Sequence, residues 1–358
     1  MDLPNLAALG LGNIVPIAGV SPAAMPGASY GKMASRSKGK DSTTGHWELG
    51  GLVVEEEFPT YPRGFPDELV ERFQQATGAH GILGNLPASG TLIIQELGEE
   101  HVRTGFPIVY TSADSVFQIA AHEDVLSLDG LYAMCRTTRE HVCIGRHAVG
   151  RVIARPFTGT AGAFQRTPHR KDFSLVPKGN TILDVVSGAG VPTVGVGKIE
   201  DLFAGRGLTR AVHQASNAEG IDHIIKESSR LDHGLLFVNL VDFDMLYGHR
   251  NDPIGFARCL REFDDALPAI LETLEPGDAL ALTADHGNDP AMKSTDHSRE
   301  YVPVLWHEKT KSGNSLGVRS TFADLGKTVA EFFGLDNSLA GESFLSLTAG
   351  HDKRSMVH

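Results

Sequence analysis

Two polar clusters, each directly after an apolar run, constrain this chain more than any other feature. The first follows the run Leu235–Val241 and the second follows Ala279–Thr283. Short apolar runs of this kind predict buried strands, and open α/β sheets place their ligands beyond the carboxyl ends of strands. The side chains that could meet at such an edge are Asp244, His249, Asp285, His286 and His297.

Carboxylate and imidazole groups together suit manganese, zinc or iron, whereas the lack of cysteine in both clusters argues against a thiolate zinc site. Any one of these residues alone fits a cap or a turn after a strand. The five together favour a metal centre, and they supply enough ligands for two ions. Asp242, Asp289 and Asp296 are weaker candidates, for which we expect capping or supporting roles.

A hydroxyl-rich segment earlier in the chain, Gly39–Glu48, offers a nucleophile. Asp41 or Ser42 can cap a helix, and a helix N-terminus favours a phosphate group. A serine hydroxyl is a poor nucleophile at neutral pH unless a neighbouring cation or base activates it. Ser42 alone fits an N-cap without a catalytic role, but beside a metal centre it becomes a candidate nucleophile.

Alternation of short apolar runs with helical periodicity along the chain indicates an α/β fold. A helix is expected at Asp67–Thr77 and another after Pro253. Two turn-rich stretches bracket the middle of the chain, so we expect a discontinuous core of residues 1–58 and 179–358 and an inserted smaller α/β cap domain, residues 59–178. The expected strands are Gly51–Val54, Ile108–Tyr110, Val149–Ala154, Thr193–Gly197, Leu235–Val241, Ala279–Thr283 and Val302–Trp306.

Charge and cysteine content narrow the class of protein. Over 358 residues, 32 Lys and Arg against 44 Asp and Glu give a net charge of −12, which argues against general nucleic-acid binding. Three scattered cysteines without a disulfide pattern favour a reducing compartment, and Pro and Gly interrupt the uncharged N-terminal stretch. We therefore expect a cytoplasmic protein that binds neither nucleic acid nor a membrane.

Several long motifs, in order along nearly the whole chain, resemble the phosphopentomutase family of the alkaline phosphatase superfamily. Each motif is much longer than a short functional pattern, and their order is that of the family. The motifs are Gly39–Glu48, Tyr110–Val116, Gly150–Phe157, Asn239–Asp244 with His249, and Thr283–Pro290 with Thr295–His297.

The resemblance implies an alkaline-phosphatase-like core sheet with helices on both faces, together with the inserted cap. It implies interconversion of ribose 1-phosphate and ribose 5-phosphate, and of the deoxyribose forms, through a phosphorylated Ser42. The family's hydroxyl residue at that position is commonly Thr. It also implies two Mn²⁺ ions, one held by Asp244, His249 and His297 and the other by Asp285 and His286, with a sugar bisphosphate as the priming activator.

Substrate recognition is implied at seven further positions. Arginine and lysine side chains suit a distal phosphate, and short polar side chains suit sugar hydroxyls. Without the resemblance each basic residue would be read as an ordinary surface cation. The implied positions are Ser112, Asp114, Val116, Arg151, Ile153, Arg166 and Lys198.

The N-terminus departs from the family pattern. The family begins with an apolar strand that ends in a metal-binding Asp, whereas this chain opens at Met1-Asp2-Leu3-Pro4. Asp2 has no apolar strand before it and is not expected to be a ligand. Either the start of this sequence is too late, the chain is truncated, or this form lacks the strand. If the strand is absent, the resemblance predicts a core sheet short of one strand, and a metal at Asp285 and His286 short of one ligand.

Two other functions stay open at this stage. One is a metal-dependent phosphatase or another phosphomutase of the same superfamily. The other is an inactive, truncated remnant, suggested by the N-terminal departure. The expected partners are small pentose phosphates, and the sequence leaves the oligomeric state open.

Overall fold

The computed structural model describes residues 1–112 and 114–348. The chain divides into two compact units, which we call the first unit (Met1–Glu56 with the chain from Pro177 onward) and the second unit (Glu57–Val176). The sequence analysis places the boundaries after residues 58 and 178. That the second unit acts as a cap stays a prediction.

The strands of both units are short. In chain order they are β1 Ser29–Met33, β2 Leu83–Pro87, β3 Ile108–Thr111, β4 Val116–His122, β5 Arg151–Thr158, β6 Gln165–Arg166, β7 Lys171–Ser174, β8 Thr193–Val196, β9 Arg210–Val212, β10 Leu235–Val238, β11 Ala279–Thr283, β12 Val302–Glu308 and β13 Ser315–Arg319.

The helices differ more in length, from single turns to the twenty residues of α10. They are α1 Pro4–Leu9, α2 Leu11–Ile14, α3 Ser42–Leu49, α4 Asp67–Thr77, α5 Gly90–Thr104, α6 Leu128–Thr137, α7 Ile182–Gly188, α8 Ile199–Phe203, α9 Asn217–Ser228, α10 Pro253–Glu272, α11 Ala323–Phe332 and α12 Leu345–Thr348. None of the helices within the described ranges combines the length and the apolar run that a membrane span needs.

Two sheets form the framework of the first unit. One has four strands in the order β11-β12-β1-β13, and the other has three parallel strands in the order β10-β8-β9. β10 and β11 are edge strands of these two sheets, and every residue in both strands is half-buried. The expectation of a core sheet short of one strand stays a prediction.

Helices cover both faces of the four-stranded sheet, as expected. Along β12, Val302, Val304 and Trp306 pack into one apolar cluster, while Leu305 packs into another. Alternate residues of a strand point to opposite faces, so the two clusters lie on opposite sides of the sheet. Helices α3 and α11 contribute to the first cluster, and α1 and α10 contribute to the second.

The second unit is built on one mixed sheet in the order β2-β3-β4-β5-β6, with β7 paired to β5. One face packs against α4 and α6, and part of the other packs against α5. β4 is buried at every residue and pairs in parallel with β5, so that Val116 lies beside Arg151 and Gln118 beside Ile153. This register places several of the predicted substrate residues on adjacent strands.

Most of the expected elements are confirmed, and one is wrong. The structure has α4 at Asp67–Thr77 and β11 at Ala279–Thr283, with the expected bounds. Gly51–Val54 is not a strand, because Gly51 turns the chain after α3 with φ at +90°. The segment is then hydrogen-bonded to a loop. Lys38 N–H donates to the carbonyl of Val54 at 2.9 Å, and Val54 N–H donates to Ser37 Oγ at 3.0 Å.

Candidate metal centre

Two short helical turns after β10 carry the first pair of predicted ligands. Asp244 lies in a π-helical turn, Phe243–Tyr247, and His249 lies in the following 3-10 turn, Gly248–Arg250. Single π turns of this kind are frequent at functional sites. They bring His249 Nε2 to within 3.1 Å of Asp244 Oδ2.

The loop after β11 carries Asp285 and His286 and is folded back by a short backbone pairing. Gly287 N–H donates to the carbonyl of Ser298 at 3.1 Å, and Ser298 N–H donates to that of Gly287 at 2.8 Å. A Cβ at Gly287 would lie 2.4 Å from Glu300 Cγ and 2.7 Å from Ser298 Oγ, so a larger residue would require these side chains to shift. The pairing brings His297 Nε2 to within 3.0 Å of Asp244 Oδ1.

The donor set fits a divalent cation. Ligand atoms of Asp244, His286 and His297 all lie within 4.8 Å of one another. The Nε2 atoms of His297 and His249 are 3.3 Å apart, and the rings of His286 and His297 stack at 3.6 Å. Imidazole nitrogens and carboxylate oxygens that converge in this way are the ligands that Mn²⁺ and Zn²⁺ accept.

The two predicted ligand groups meet in this structure. Asp285 Oδ2 lies 3.3 Å from His286 Nε2, while His286 also belongs to the cluster around Asp244. The five predicted ligands are therefore neighbours in the first unit. The assignment of each residue to one of two ions stays a prediction.

Ser42 begins α3 and points at the same cluster. Its Oγ lies 3.1 Å from His286 Nε2. Asp41 is the N-cap and accepts hydrogen bonds from Thr44 N–H at 3.1 Å and Thr44 Oγ1 at 2.6 Å. The Thr44 hydroxyl is thus occupied in capping, whereas the Ser42 hydroxyl faces the candidate ligands.

Close approach of α3 to the loop after β11 depends on Gly45. A Cβ at this position would lie 2.0 Å from the carbonyl oxygen of Asp285, so any larger residue would push the helix away. Gly45 follows Ser42 by one helical turn, and both residues therefore face the Asp285 loop.

His46 is a member of the site that the sequence analysis missed. It is 3% exposed, and its Nδ1 lies 3.0 Å from Asp285 Oδ2 and 2.8 Å from the carbonyl oxygen of Ser42. Its spacing of four residues from Ser42 on one helix was the available signal, because residues i and i+4 share a face. His46 thus links the nucleophile's helix to a candidate ligand.

Asn288 was also missed, and its side-chain amide donates to Asp244 Oδ1. The three weaker acidic candidates take supporting positions. Asp242 Oδ2 accepts from Asn217 N–H at 2.7 Å, and Asp289 Oδ1 accepts from Ala291 N–H at 2.8 Å. Asp296 pairs with Lys40 at 2.6 Å, beside His297.

Neighbouring histidines keep the carboxylates of Asp244 and Asp285 ionised. Burial opposes ionisation of Asp244, but the hydrogen bond from His297 and the nearby His286 and His249 outweigh it and lower its pKa to about 2. Burial also opposes ionisation of Asp285, yet His46 and His286 bring its pKa well below the ordinary value.

The pKa values of His286 and His297 shift in opposite directions. Burial lowers the pKa of His286, although Asp285 opposes the shift. Burial also disfavours the charged form of His297, but its bond to Asp244 raises the pKa of that ring. Ionised carboxylates beside a neutral His286 are the protonation states that bind a cation.

The predicted substrate residues lie mainly in the second unit. Val116 and Arg151 begin β4 and β5 and are paired across them. Arg151 lies 3.6 Å from Asp114 and 3.5 Å from Asp172, and Ser112 Oγ accepts from Asp114 N–H at 3.3 Å. Their recognition of a substrate stays a prediction.

Ile153 follows Arg151 on the same face of β5. Two other predicted substrate residues lie apart from these. Arg166 on β6 donates to Thr91 Oγ1 in α5. Lys198 belongs to the first unit, where it is exposed and precedes α8. The structure therefore groups Val116, Arg151 and Ile153 on adjacent strands.

Comparison with known proteins identifies the family. The sequence profile of the Metalloenzyme superfamily matches residues 20–337. The chain is 59% identical over 347 residues to the phosphopentomutase of Dictyoglomus turgidum, covering 97% of this chain and 88% of that protein. It is 59% identical over 346 residues to the phosphopentomutase of Anaeromyxobacter dehalogenans strain 2CP-1, with the same coverage.

Among solved structures, a protein of Pyrococcus horikoshii matches with a TM-score of 0.49 and 15% identity, over 95% of this chain and 92% of that one. The family assignment comes from the sequence matches, which span nearly the whole chain. This chain therefore belongs to the phosphopentomutases, metal-dependent isomerases of the metalloenzyme superfamily.

Proposed function

We propose that this chain interconverts ribose 1-phosphate and ribose 5-phosphate, and the corresponding deoxyribose phosphates, through a phosphoserine at Ser42. The observation that carries the proposal is the Ser42 hydroxyl 3.1 Å from His286, inside a cluster of metal-ligand side chains. The 59% identity to phosphopentomutases supports the choice of pentose phosphates as substrates.

In the proposed reaction the phosphoryl group leaves Ser42 Oγ for the free hydroxyl of a bound pentose monophosphate. The Oγ–P bond breaks, a P–O bond to the sugar forms, and the proton of the sugar hydroxyl returns to Ser42 Oγ. The pentose bisphosphate then transfers its other phosphoryl group to Ser42, which restores the phosphoserine and releases the isomer. Each half-reaction therefore balances without water.

The residues of the first unit position the reacting oxygen. Ser42 stands at the N-terminus of α3, where backbone N–H groups and the helix dipole favour a phosphoryl group. His46 on the same helix contacts Asp285 at 3.0 Å and so ties the helix to the ligand cluster. We propose that the five predicted ligands hold two Mn²⁺ ions, which when bound supply Lewis-acid stabilisation of the phosphoryl oxygens.

A phosphoserine cycle needs an initial phosphoryl group, and we propose a sugar bisphosphate as the priming donor. Recognition of the sugar and its distal phosphate is assigned to the predicted residues of the second unit and to Lys198. A cytoplasmic location is also proposed, in keeping with three cysteines that are free and buried.

The test uses the full chain with Mn²⁺, primed with a sugar bisphosphate and given ribose 5-phosphate. Phosphorus NMR is expected to show ribose 1-phosphate, and mass spectrometry is expected to place the phosphoryl group on Ser42. The Ser42→Ala variant is expected to lose both signals, while Thr43→Ser, one residue away, keeps them.

Two other outcomes would contradict the proposal. Net release of inorganic phosphate with little isomer would instead identify a phosphatase. A metal-loaded, folded chain that forms no ribose 1-phosphate would exclude the mutase.

A further inference from the structure

His46 has a hydrogen-bond partner at each ring nitrogen, and the partner at the second nitrogen has no assigned role. Its Nδ1 lies 3.0 Å from Asp285 Oδ2 and 2.8 Å from the carbonyl oxygen of Ser42. Its Nε2 lies 3.3 Å from Nδ2 of Asn239, the residue that directly follows β10. Asn239, His46 and Asp285 therefore form one hydrogen-bonded chain from the end of β10 to the loop after β11.

The partners determine which nitrogen of the His46 ring carries the proton. A backbone carbonyl and an ionised carboxylate can only accept hydrogen bonds. Burial opposes ionisation of Asp285, but the neighbouring histidines outweigh it and keep the pKa of this carboxyl below its ordinary value. Nδ1 of His46 is therefore the donor. In a neutral imidazole the other nitrogen is then an acceptor, and the Asn239 amide supplies the N–H that it accepts.

The backbone of Asn239 is fixed independently of His46. Its N–H donates to the carbonyl of Val196 at the end of β8, at 3.1 Å, and its carbonyl accepts from Gln214 Nε2 at 2.8 Å. A Cβ at Gly197 would lie 2.5 Å from the same carbonyl oxygen, so the ends of β8 and β10 are closely packed. The Asn239 amide is thus presented from a well-held backbone, at the carboxyl ends of parallel strands where α/β sheets place their sites.

Packing leaves the His46 ring little freedom to turn over. The ring is 3% exposed and stacks on Phe237 of β10, with centroids 5.8 Å apart and 29° between the planes. The opposite tautomer would place the lone pair of Nδ1 against the oxygens of Ser42 and Asp285, and lost hydrogen bonds in a buried site are costly. The position of one proton therefore decides whether His46 holds the nucleophile's helix and the candidate ligand together.

We propose that Asn239 is a positioning residue, which fixes His46 in its Nδ1–H tautomer and thereby orients the Asp285 carboxylate. The same tautomer donates to the Ser42 carbonyl and so holds the first residue of α3 beside the ligand cluster. Groups that orient metal ligands commonly contribute a factor of about 10–100 to metal affinity. This inference deepens the proposed function, on which it rests for the role of Asp285 as a metal ligand.

The first experiment locates the proton by nitrogen NMR on the full, metal-free chain with isotope-labelled histidine. The His46→Gln variant assigns the ring, since it removes the His46 signals. At mildly alkaline pH we expect Nδ1 to carry the proton in the unchanged chain. Asn239→Leu has a similar size and no N–H, so we expect part of the rings to change to the Nε2–H form. Asn239→Asp keeps the shape but only accepts, so in that variant Nε2 is expected to carry a proton.

The second experiment measures Mn²⁺ affinity by isothermal titration calorimetry. We expect Asn239→Leu to weaken binding by about tenfold. The double variant with His46→Gln is expected to bind no more weakly than His46→Gln alone, because effects within one hydrogen-bonded network are not additive. Asn180→Leu is the matched control. It removes an exposed amide of the first unit, bonded to Arg206 at 3.0 Å, and should bind Mn²⁺ as the unchanged chain does.

A proton on Nε2 in the unchanged chain would overturn the proposal, as would a proton that stays on Nδ1 alone in both Asn239 variants. Equal Mn²⁺ affinity in the unchanged chain and in Asn239→Leu would also overturn it, and so would losses from Asn239→Leu and His46→Gln that add. Neither measurement needs turnover. A chain that shows both effects of Asn239 but forms no ribose 1-phosphate keeps this inference and contradicts only the proposed function.

Discussion

Glu48 is a buried carboxylate that ties α3 to two loops of the first unit. It is 0% exposed and accepts hydrogen bonds from Arg36 N–H at 2.8 Å and Ser37 N–H at 2.7 Å. Thr321 Oγ1 at 2.7 Å and Phe322 N–H at 3.0 Å donate to the same carboxylate. Burial alone would raise its pKa, but the hydrogen bonds reverse the effect and the pKa lies below 4.5.

We expect Glu48→Gln to lower the free energy of unfolding by about 3 kcal/mol, because the amide turns one acceptor into a donor that faces N–H groups. The folded pKa is lowered, so the carboxylate's contribution is full above the unfolded pKa and is lost as pH falls below about 4.5. Urea unfolding at neutral and acidic pH measures both effects. Glu55→Gln, in an exposed pair with Arg36, is the control and should change little.

His46 allows a second prediction at the scale of one residue. Its imidazole contacts Asp285 Oδ2 at 3.0 Å, and groups that orient a metal ligand commonly contribute a factor of about 10–100 to metal affinity. We therefore expect His46→Gln to weaken Mn²⁺ binding by about tenfold or more in a calorimetric titration. His223→Gln, on α9, should bind as the unchanged chain does, and equal affinities in both variants would contradict the role of His46.

At the scale of elements, a proline explains how α1 docks on α10. Pro268 lies inside α10 and has no N–H, which frees the carbonyl of Asp264 four residues earlier. Asn5 Nδ2 donates to that carbonyl at 2.9 Å. The Asp264 side chain in turn accepts from Leu6 N–H at 2.7 Å and Asn5 N–H at 3.2 Å. Asp264 of α10 thus accepts hydrogen bonds from backbone N–H groups in the first turn of α1.

We expect Asp264→Asn to destabilise the chain by about 2 kcal/mol, since its amide group opposes one of the two N–H donors of α1. Asp265→Asn is the adjacent control, and because Asp265 is exposed we expect a change within about 0.5 kcal/mol. Thermal or urea unfolding of the two variants measures the loss of stability in each. Similar losses in both would show that Asp264 does not cap α1.

Sequence patterns predicted a helix or strand correctly where residues within or next to that element determine it. α4 was predictable because Pro66 precedes its acidic first turn and Gly78 ends it with φ at +74°. β4 was missed because Gln118 interrupts its apolar run and His122 ends it, although packing buries them both. Gly51–Val54 looked like a strand, but Gly51 turns the chain with φ at +90°, and Val54 is hydrogen-bonded to Ser37 and Lys38, which lie in a loop.

The candidate ligands could be proposed from the sequence as a set of residues, whereas their geometry could not. Asp244 and Asp285 stand out because each follows an apolar strand. The approach of Ser42 to His286 spans 244 residues, and no local pattern encodes it. His297 reaches Asp244 only through the pairing of Gly287 with Ser298, which depends on backbone hydrogen bonds that the sequence does not display.

At the scale of the whole molecule, we expect metal binding to raise the free energy of unfolding, because the ligand cluster holds two ionised carboxylates close together. Asp244 and Asp285 remain ionised beside several imidazoles, in a chain with a net charge of −12. A cation that binds only the folded chain raises its stability by about 2.7 kcal/mol at a hundred times its dissociation constant. We therefore expect Mn²⁺ to raise the melting temperature and a chelator to lower it.

Hydrogen exchange followed by mass spectrometry locates this effect. Mn²⁺ is expected to slow exchange in residues 243–250 and 284–299, because the cation joins the loop after β10 to the loop after β11. Asp244→Asn should abolish both the slowing and the rise in melting temperature, since it removes the carboxylate that His249 and His297 share at 3.1 and 3.0 Å. Asp289→Asn, an exposed turn residue in the second loop, should keep both responses. Slowing spread equally over both units would mean that the cation acts elsewhere than at the predicted ligands.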